Sequence, residues 1–168
     1  MTSNTKKYIN LIRDNLYNNY QDMFRDQGGA FKHPFIVPGS DQYSDILWDW
    51  DSWLSDIALQ QILLEKGTSQ EKKEAIKYGK GCVLNFLSWG SMDGWLPISA
   101  TRDTDLKELK SGNIYEHNMH KPVLAQHAAF LVKLEGGNAE WLREHFYYLQ
   151  AFVNNYKNHH QHQCGLYY

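Results

Sequence analysis

The chain is short of cysteine, of net charge and of long apolar runs, and each shortage removes a class of protein. Two cysteines in 168 residues, Cys82 and Cys164, are too few for a disulfide scaffold and fit a reducing compartment. Seventeen basic against nineteen acidic side chains leave a formal charge of −2, so no basic face marks a nucleic-acid binder. Mean hydropathy is −0.61 and no run is apolar enough for a membrane span. Residues 1–10, MTSNTKKYIN, lack the apolar stretch of a secretory signal, which points to a cytoplasmic address. The length suits one ordinary domain, 1–168, with its own core.

What the chain has in excess is aromatic side chains: six Trp, eleven Tyr and seven Phe. Three of the six Trp fall between Trp48 and Trp53. Rings with a polar handle suit binding faces as well as cores.

The hydrophobic spacing predicts an all-α chain of about five helices with no convincing strand pair. A first helix covers 4–26, with Tyr8, Ile12, Leu16, Tyr20 and Met23 inward, and Gly28-Gly29 ends it. Residues 27–47 read as a loop with a short extended piece at Phe35–Val37. A second helix, Ser52 to Glu65, places Trp53, Leu54, Ile57, Ala58 and Ile62 on one side. Thr68 and Glu71 form a capping box for a third helix ending near Trp89. Gly79 and Gly81 each cost that helix ~1 kcal/mol against Ala, a cost that fits close approach to a neighbour. Residues 90–118 form a long loop rich in turn residues. A fourth helix from His120 to Glu135 is expected to be buried nearly all round. A fifth, Asn138 to Asn158, carries one apolar stripe of Leu142, Phe146, Leu149, Val153 and Tyr156. A plain five-helix bundle satisfies this pattern. So does an alternation of buried and amphipathic helices in hairpins.

Residues 38–53 carry the chemistry. Asp49 and Asp51 alternate with Trp48, Trp50 and Trp53, and a carboxylate inside a core must be paired or neutralised. As an extended run, Trp48 and Trp50 would point one way and the two acids the other. Ser52 is placed to cap the following helix. One reading is structural: an acid caps the helix, which its dipole favours, while the rings pack. The other is a carbohydrate site, with rings stacked on sugar faces and a carboxyl that protonates a glycosidic oxygen. A helix N-terminus favours the carboxylate, so a general acid there needs apolar enclosure or a second acid to hold its proton.

At these residues the chain resembles the six-hairpin glycosidases, the (α/α)6-barrel hydrolases that include trehalases, processing glucosidases and mannosylglycerate hydrolases. Pro38-Gly39 followed by Trp50-Asp51-Ser52-Trp53 is similar to the trehalase signature, without its Arg-Phe portion. Asp93-Gly94-Trp95-Leu96-Pro97 resembles the Gly-x-x-Pro turn that enters the substrate cavity. The start His120-Lys121-Pro122 through Gln126 resembles the Gln-Pro-Pro helix start, with Lys in place of Gln. These departures fit the processing-glucosidase-like branch better than true trehalase. The resemblance implies an incomplete (α/α) toroid of helical hairpins and inverting O-glycosyl hydrolysis, with Asp51 as general acid. Trp48, Asp49, Trp50, Trp95, Lys121 and Gln126 would then contact a carbohydrate substrate. It implies no cofactor and no metal.

Inversion needs a second carboxyl about 6.5–9.5 Å from the first, and in the families resembled it comes from late in the barrel. Six helix pairs need roughly 400 residues, so the chain is expected to be a truncated, inactive portion, ending at Gly165-Leu166-Tyr167-Tyr168. Glu116 is the local candidate for a substitute base, against a solvated loop acid. An incomplete toroid would expose inner helices such as the one from His120 and favour self-association. The alternative function is a non-catalytic helical fragment that binds sugar or a protein partner. His159, His160, His162 and Cys164 match no tetrahedral metal template, and Cys82 reads as inert packing.

Overall fold

A computed structural model describes residues 2–39, 41–110 and 118–166. The described residues are mostly helical, in six α-helices with two very short antiparallel ladders. No helix among them is long and apolar enough to cross a membrane.

The architecture is built on a helical hairpin. Helix α2 (Asp49–Lys66) ends at Gly67, and α3 (Ser69–Ser88) begins two residues later behind the expected capping box. Thr68 Oγ1 accepts from the Glu71 N–H at 3.2 Å, and Glu71 Oε2 accepts from the Thr68 N–H at 2.7 Å. Two orphan donors of the helix start are thereby satisfied. Helix α3 is the central element. It packs on α2, on strand β2 (Phe35–Ile36) and on α5 (Leu124–Leu134), burying Ala75, Val83, Phe86 and Leu87 between them.

Both helical glycines of α3 serve close approach, as their cost predicted. A Cβ on Gly79 would collide with the Asp56 carboxylate of α2. On Gly81 it would fall onto the Pro34 carbonyl oxygen, just ahead of β2.

Strand β1 (Phe24–Arg25) pairs antiparallel with β2, Phe24 opposite Ile36. Strand β3 (Leu47–Trp48) pairs with β4 (Ser99–Ala100), Trp48 opposite Ser99. Two-residue strands are too short to show alternation, which is why no strand pair is visible in the spacing. The long loop also holds a single-turn helix, α4 (Leu106–Leu109).

Several helix readings change. Helix α1 (Ser3–Asn19) gives way to a 3-10 turn at Tyr20–Met23. Tyr20 and Met23 are buried as expected, but Tyr8 and Ile12 are 62% and 66% exposed, and α1 buries no residue. Helix α5 begins at Leu124 rather than His120. The His120 N–H donates to Leu96 O at 2.9 Å and the Lys121 N–H to Asp49 Oδ2 at 2.8 Å, so neither amide starts a helix. Nor is α5 buried all round, since Gln126, Ala129 and Lys133 face out.

The fifth predicted helix starts late. Asn138 Oδ1 accepts from the Glu140 N–H at 3.1 Å and leads into a 3-10 turn at Glu140–Leu142. Helix α6 (Phe146–His159) follows. Its buried side is Leu149, Phe152, Asn155 and Tyr156, leaving Phe146 and Val153 exposed.

The largest correction concerns α2. Its buried face carries Asp49, Ser52, Asp56, Leu59, Gln60, Ile62 and Leu63. Leu54 and Ala58, expected inward, are exposed instead, and Trp53 and Ile57 are half-buried.

The close approach at Gly81 yields a stability prediction. In an unconstrained helix Gly→Ala gains ~1 kcal/mol. Gly81→Ala is expected to destabilise the protein by about 2–3 kcal/mol in urea unfolding, because the rigid Pro34 carbonyl must move. An unchanged or raised midpoint would contradict this packing.

Candidate functional site

The site grows from the way α2 begins. Trp48 is extended (φ −97°, ψ 150°) and closes β3; the next amide, Asp49 N–H, donates to Ile98 O at 3.0 Å. From Asp49 onward the backbone is helical, so side chains turn by about 100° per residue instead of alternating. Asp49, Ser52 and Asp56 then share the inner face, while Trp50 and Leu54 share the outer one, 54% and 55% exposed. Asp51, two residues after Asp49, lies away from Asp49 on the same first turn and is half-buried. The extended-run expectation, with both acids on one side, is thus corrected by the helix starting at Asp49.

Ser52, Asp56 and Asp49 each reach a partner outside α2. Ser52 Oγ donates to Ile36 O at 2.8 Å, so it ties α2 to β2 and does not cap the helix. Asp56, with no exposed surface, accepts from His127 Nε2 at 2.8 Å and from Gln60 Nε2 at 3.0 Å. Asp49 is 2% exposed; its Oδ2 takes the Lys121 N–H, and its Oδ1 is buried without a hydrogen-bond partner.

Behind Asp49 lies a second buried layer. His120 Nδ1–H donates to Lys121 O at 2.7 Å, and Tyr156 Oη–H donates to His120 O at 2.7 Å. The His120 ring stands edge-on to Phe86 and Phe152. Burial pushes the His120 imidazole down to about 4, against the smaller opposing pull of the Asp49 charge. Burial, then the same charge, pushes the Tyr156 phenol up to about 12. Burial also raises the Cys82 thiol, whose sulfur accepts from the Ile36 N–H at 3.2 Å, in keeping with inert packing.

Three segments distant in sequence therefore meet at the start of α2: 47–52, 95–100 and 118–122. The β3/β4 ladder, a bridge between Pro97 and Met119, and the Asp49–Lys121 hydrogen bond hold them together. Beside them a cleft of about 170 Å³ is lined by Trp95, Pro97, Ile98, Ser99, Leu109 and Asn118.

Among the predicted site residues, the Asp51 side chain makes no hydrogen bond to the described residues. Trp50 presents its ring to solvent. Trp48 is half-buried, edge-on to Tyr43 at 5.7 Å. Trp95 is 2% exposed, with the Lys110 ammonium 5.8 Å from its ring centroid, so it walls the cleft and offers no open ring face. Asp49 is likewise enclosed. Lys121 contributes its backbone N–H to Asp49 and its Nζ to Asn118 Oδ1 at 2.6 Å. Gln126 lies exposed on α5, with no hydrogen bond to the others. Glu116 lies outside the described residues.

Sequence reasoning passed over Asp56, Gln60 and His127, and named His120 only as a helix start and Tyr156 only as part of an apolar stripe. The one available signal was the polar spacing Asp49, Ser52, Asp56, which reads by default as a solvent face. Among the described residues no group of three His, Cys, Asp or Glu could hold a metal ion. His162 Nδ1 lies 3.1 Å from Cys164 Sγ without further ligands.

No family model matches the chain, and comparisons with curated proteins and with solved structures give no match.

His120 makes stability pH-dependent. Its folded value is depressed from the usual 6.5 to about 4. Between those values the unfolded chain binds a proton that the native state refuses, so stability is full above the window and falls as pH drops through it. The span corresponds to about 3 kcal/mol. His120→Asn keeps an N–H near Lys121 O and removes the titration. Urea unfolding at pH 7 and pH 4.5 should show the variant losing about 2 kcal/mol less than the wild type; equal losses would refute the assignment.

Proposed function

We propose that the chain forms part of an inverting O-glycoside hydrolase of the six-hairpin type, with Asp51 as the general acid and the α2/α3 hairpin as one unit of an incomplete (α/α) toroid. The carrying observation is that the three segments resembling that family's cavity-lining motifs meet around the first turn of α2. Asp51 and the exposed Trp50 ring stand together at this junction, and Trp48 flanks them. A half-buried carboxyl beside an exposed indole supports leaving-group protonation over a stacked sugar. In this reading Asn118 and Trp95 line the adjacent cleft, Lys121 fixes Asn118, Asp49 holds the 118–122 segment in place, and Gln126 contacts a more distant part of the substrate. The second carboxylate is supplied from outside the described residues, and one acid alone gives no inverting turnover.

A second reading is favoured by the outward apolar stripe of α2. Trp50, Leu54 and Leu64 are all at least half exposed, and such a stripe suits self-association or a protein partner for a non-catalytic helical fragment.

The two readings separate by titration with 1-deoxynojirimycin, whose protonated ring nitrogen pairs with a carboxylate at the position of developing charge. Quenching of tryptophan fluorescence should saturate in the wild type, and Asp51→Asn should weaken binding at least tenfold. Absence of binding, or equal binding by the variant, would sink the hydrolase reading. Sedimentation velocity of Leu54→Ser tests the other: a concentration-dependent dimer that this change abolishes supports an interaction face.

A further inference from the structure

A second groove lies between the turn at 91–94 and helix α6, and it shares no residue with the Asp51 site. Its volume is about 290 Å³, at the small end of ligand-sized cavities. The turn is seated tightly on the helix: Gly94 takes a left-handed φ of +70°, and a Cβ there would collide with the Ala151 carbonyl. Asn155 Nδ2 donates to Asp93 O at 2.6 Å across the same junction. The groove is therefore a built feature between two anchored elements.

Its lining is unusual in composition. Tyr147, Gln150, Asn154 and Asn158 recur at spacings of three and four along α6, so they stand in one row on the helix surface. All four are exposed, and Met92 forms the opposite rim. Each amide offers two N–H donors and a carbonyl acceptor, a set that suits adjacent hydroxyl groups. Tyr147 adds an amphipathic ring at one end of the row.

The charge balance does not favour an ionic ligand. Asp93 and His159 are the acidic and basic side chains of the lining, and no Lys, Arg or Glu joins them. Its carboxylate, Asp93, is already engaged by Ser91 Oγ at 2.7 Å, the Trp95 N–H at 2.9 Å and Lys110 Nζ at 3.4 Å. An independent sign of an absent partner comes from Asn155. This residue is 2% exposed and lines the groove, and its Oδ1 is buried with no hydrogen bond. An unmet buried acceptor is destabilising, and a hydroxyl donor that reached it from the groove would satisfy it.

We propose that this groove binds a neutral saccharide, one or two rings in length, through the amide row of α6 and the Tyr147 ring. The ligand class follows from the uncharged donor and acceptor row and the aromatic rim; it does not depend on Asp51 being a catalytic acid.

The experiment follows the side-chain NH2 signals of Gln150, Asn154, Asn155 and Asn158 by ¹⁵N-edited NMR. Glucose, mannose, galactose, N-acetylglucosamine and their disaccharides are titrated in turn, with an uncharged Gly-Ser peptide as the contrasting probe. At least one sugar should shift these signals saturably. Tyr147→Ala and the Asn154→Ala/Asn158→Ala pair should each weaken it at least tenfold, and Asp51→Asn should leave it within twofold. All three altered groove residues are exposed, and circular dichroism checks that each variant folds. The proposal is overturned if no sugar shifts the signals, if only the peptide does, or if Asp51→Asn abolishes the effect as fully as the groove variants. Retained groove binding alongside absent iminosugar binding would reject the Asp51 reading alone.

Discussion

Four polar side chains are buried on the inner face of α2, and the partners they reach organise the molecule. Ser52 reaches the backbone of β2, Asp49 reaches the amide of Lys121, and Asp56 is held between Gln60 and His127. The bonds of Ser52, Asp49 and Asp56 to Ile36, Lys121 and His127 each recruit a different part of the chain, up to 72 residues away for Asp49. Apolar contacts tolerate sliding by a fraction of a turn, whereas a buried carboxylate accepts only the arrangement that supplies its donors. Gly79 belongs to the same constraint, because any side chain there would occupy the space of the Asp56 carboxylate.

That constraint also sets what α2 shows to the outside. With Asp49, Ser52 and Asp56 turned inward, helical geometry sends Trp50 and Leu54 outward and leaves Asp51 between the two faces. The acid and the exposed indole at the candidate site are thus consequences of how the helix satisfies its interior. A buried polar base under an exposed apolar rim is an arrangement found where function competes with simple packing.

The local signals in the chain were legible where they act within a few residues. The Thr68–Glu71 capping box, the close-approach glycines of α3 and the short extended piece at Phe35 all appear where local chemistry places them. The spacing of three motifs was legible too, but not their meeting point, which depends on ladders only two residues long. The buried face of α2 was misread because periodicity assigns apolar residues to the interior, and the partners that reverse this are tens of residues distant. The start of α5 was misread for the same reason: amides that would begin a helix are already committed to Leu96 and Asp49.

The amino-acid sequence by itself determined a mostly helical chain, the places where α2, α3, α5 and α6 stop, and the close approach that Gly79 and Gly81 permit. These depend on backbone propensity and steric size, which are properties of neighbouring residues. Tertiary structure alone decided which side of α2 is inside, that Trp95 is a wall and Trp50 an open ring, and that an amide row on α6 faces a fixed turn. Those outcomes rest on hydrogen bonds and packing between residues far apart in the chain, where no local pattern carries the information.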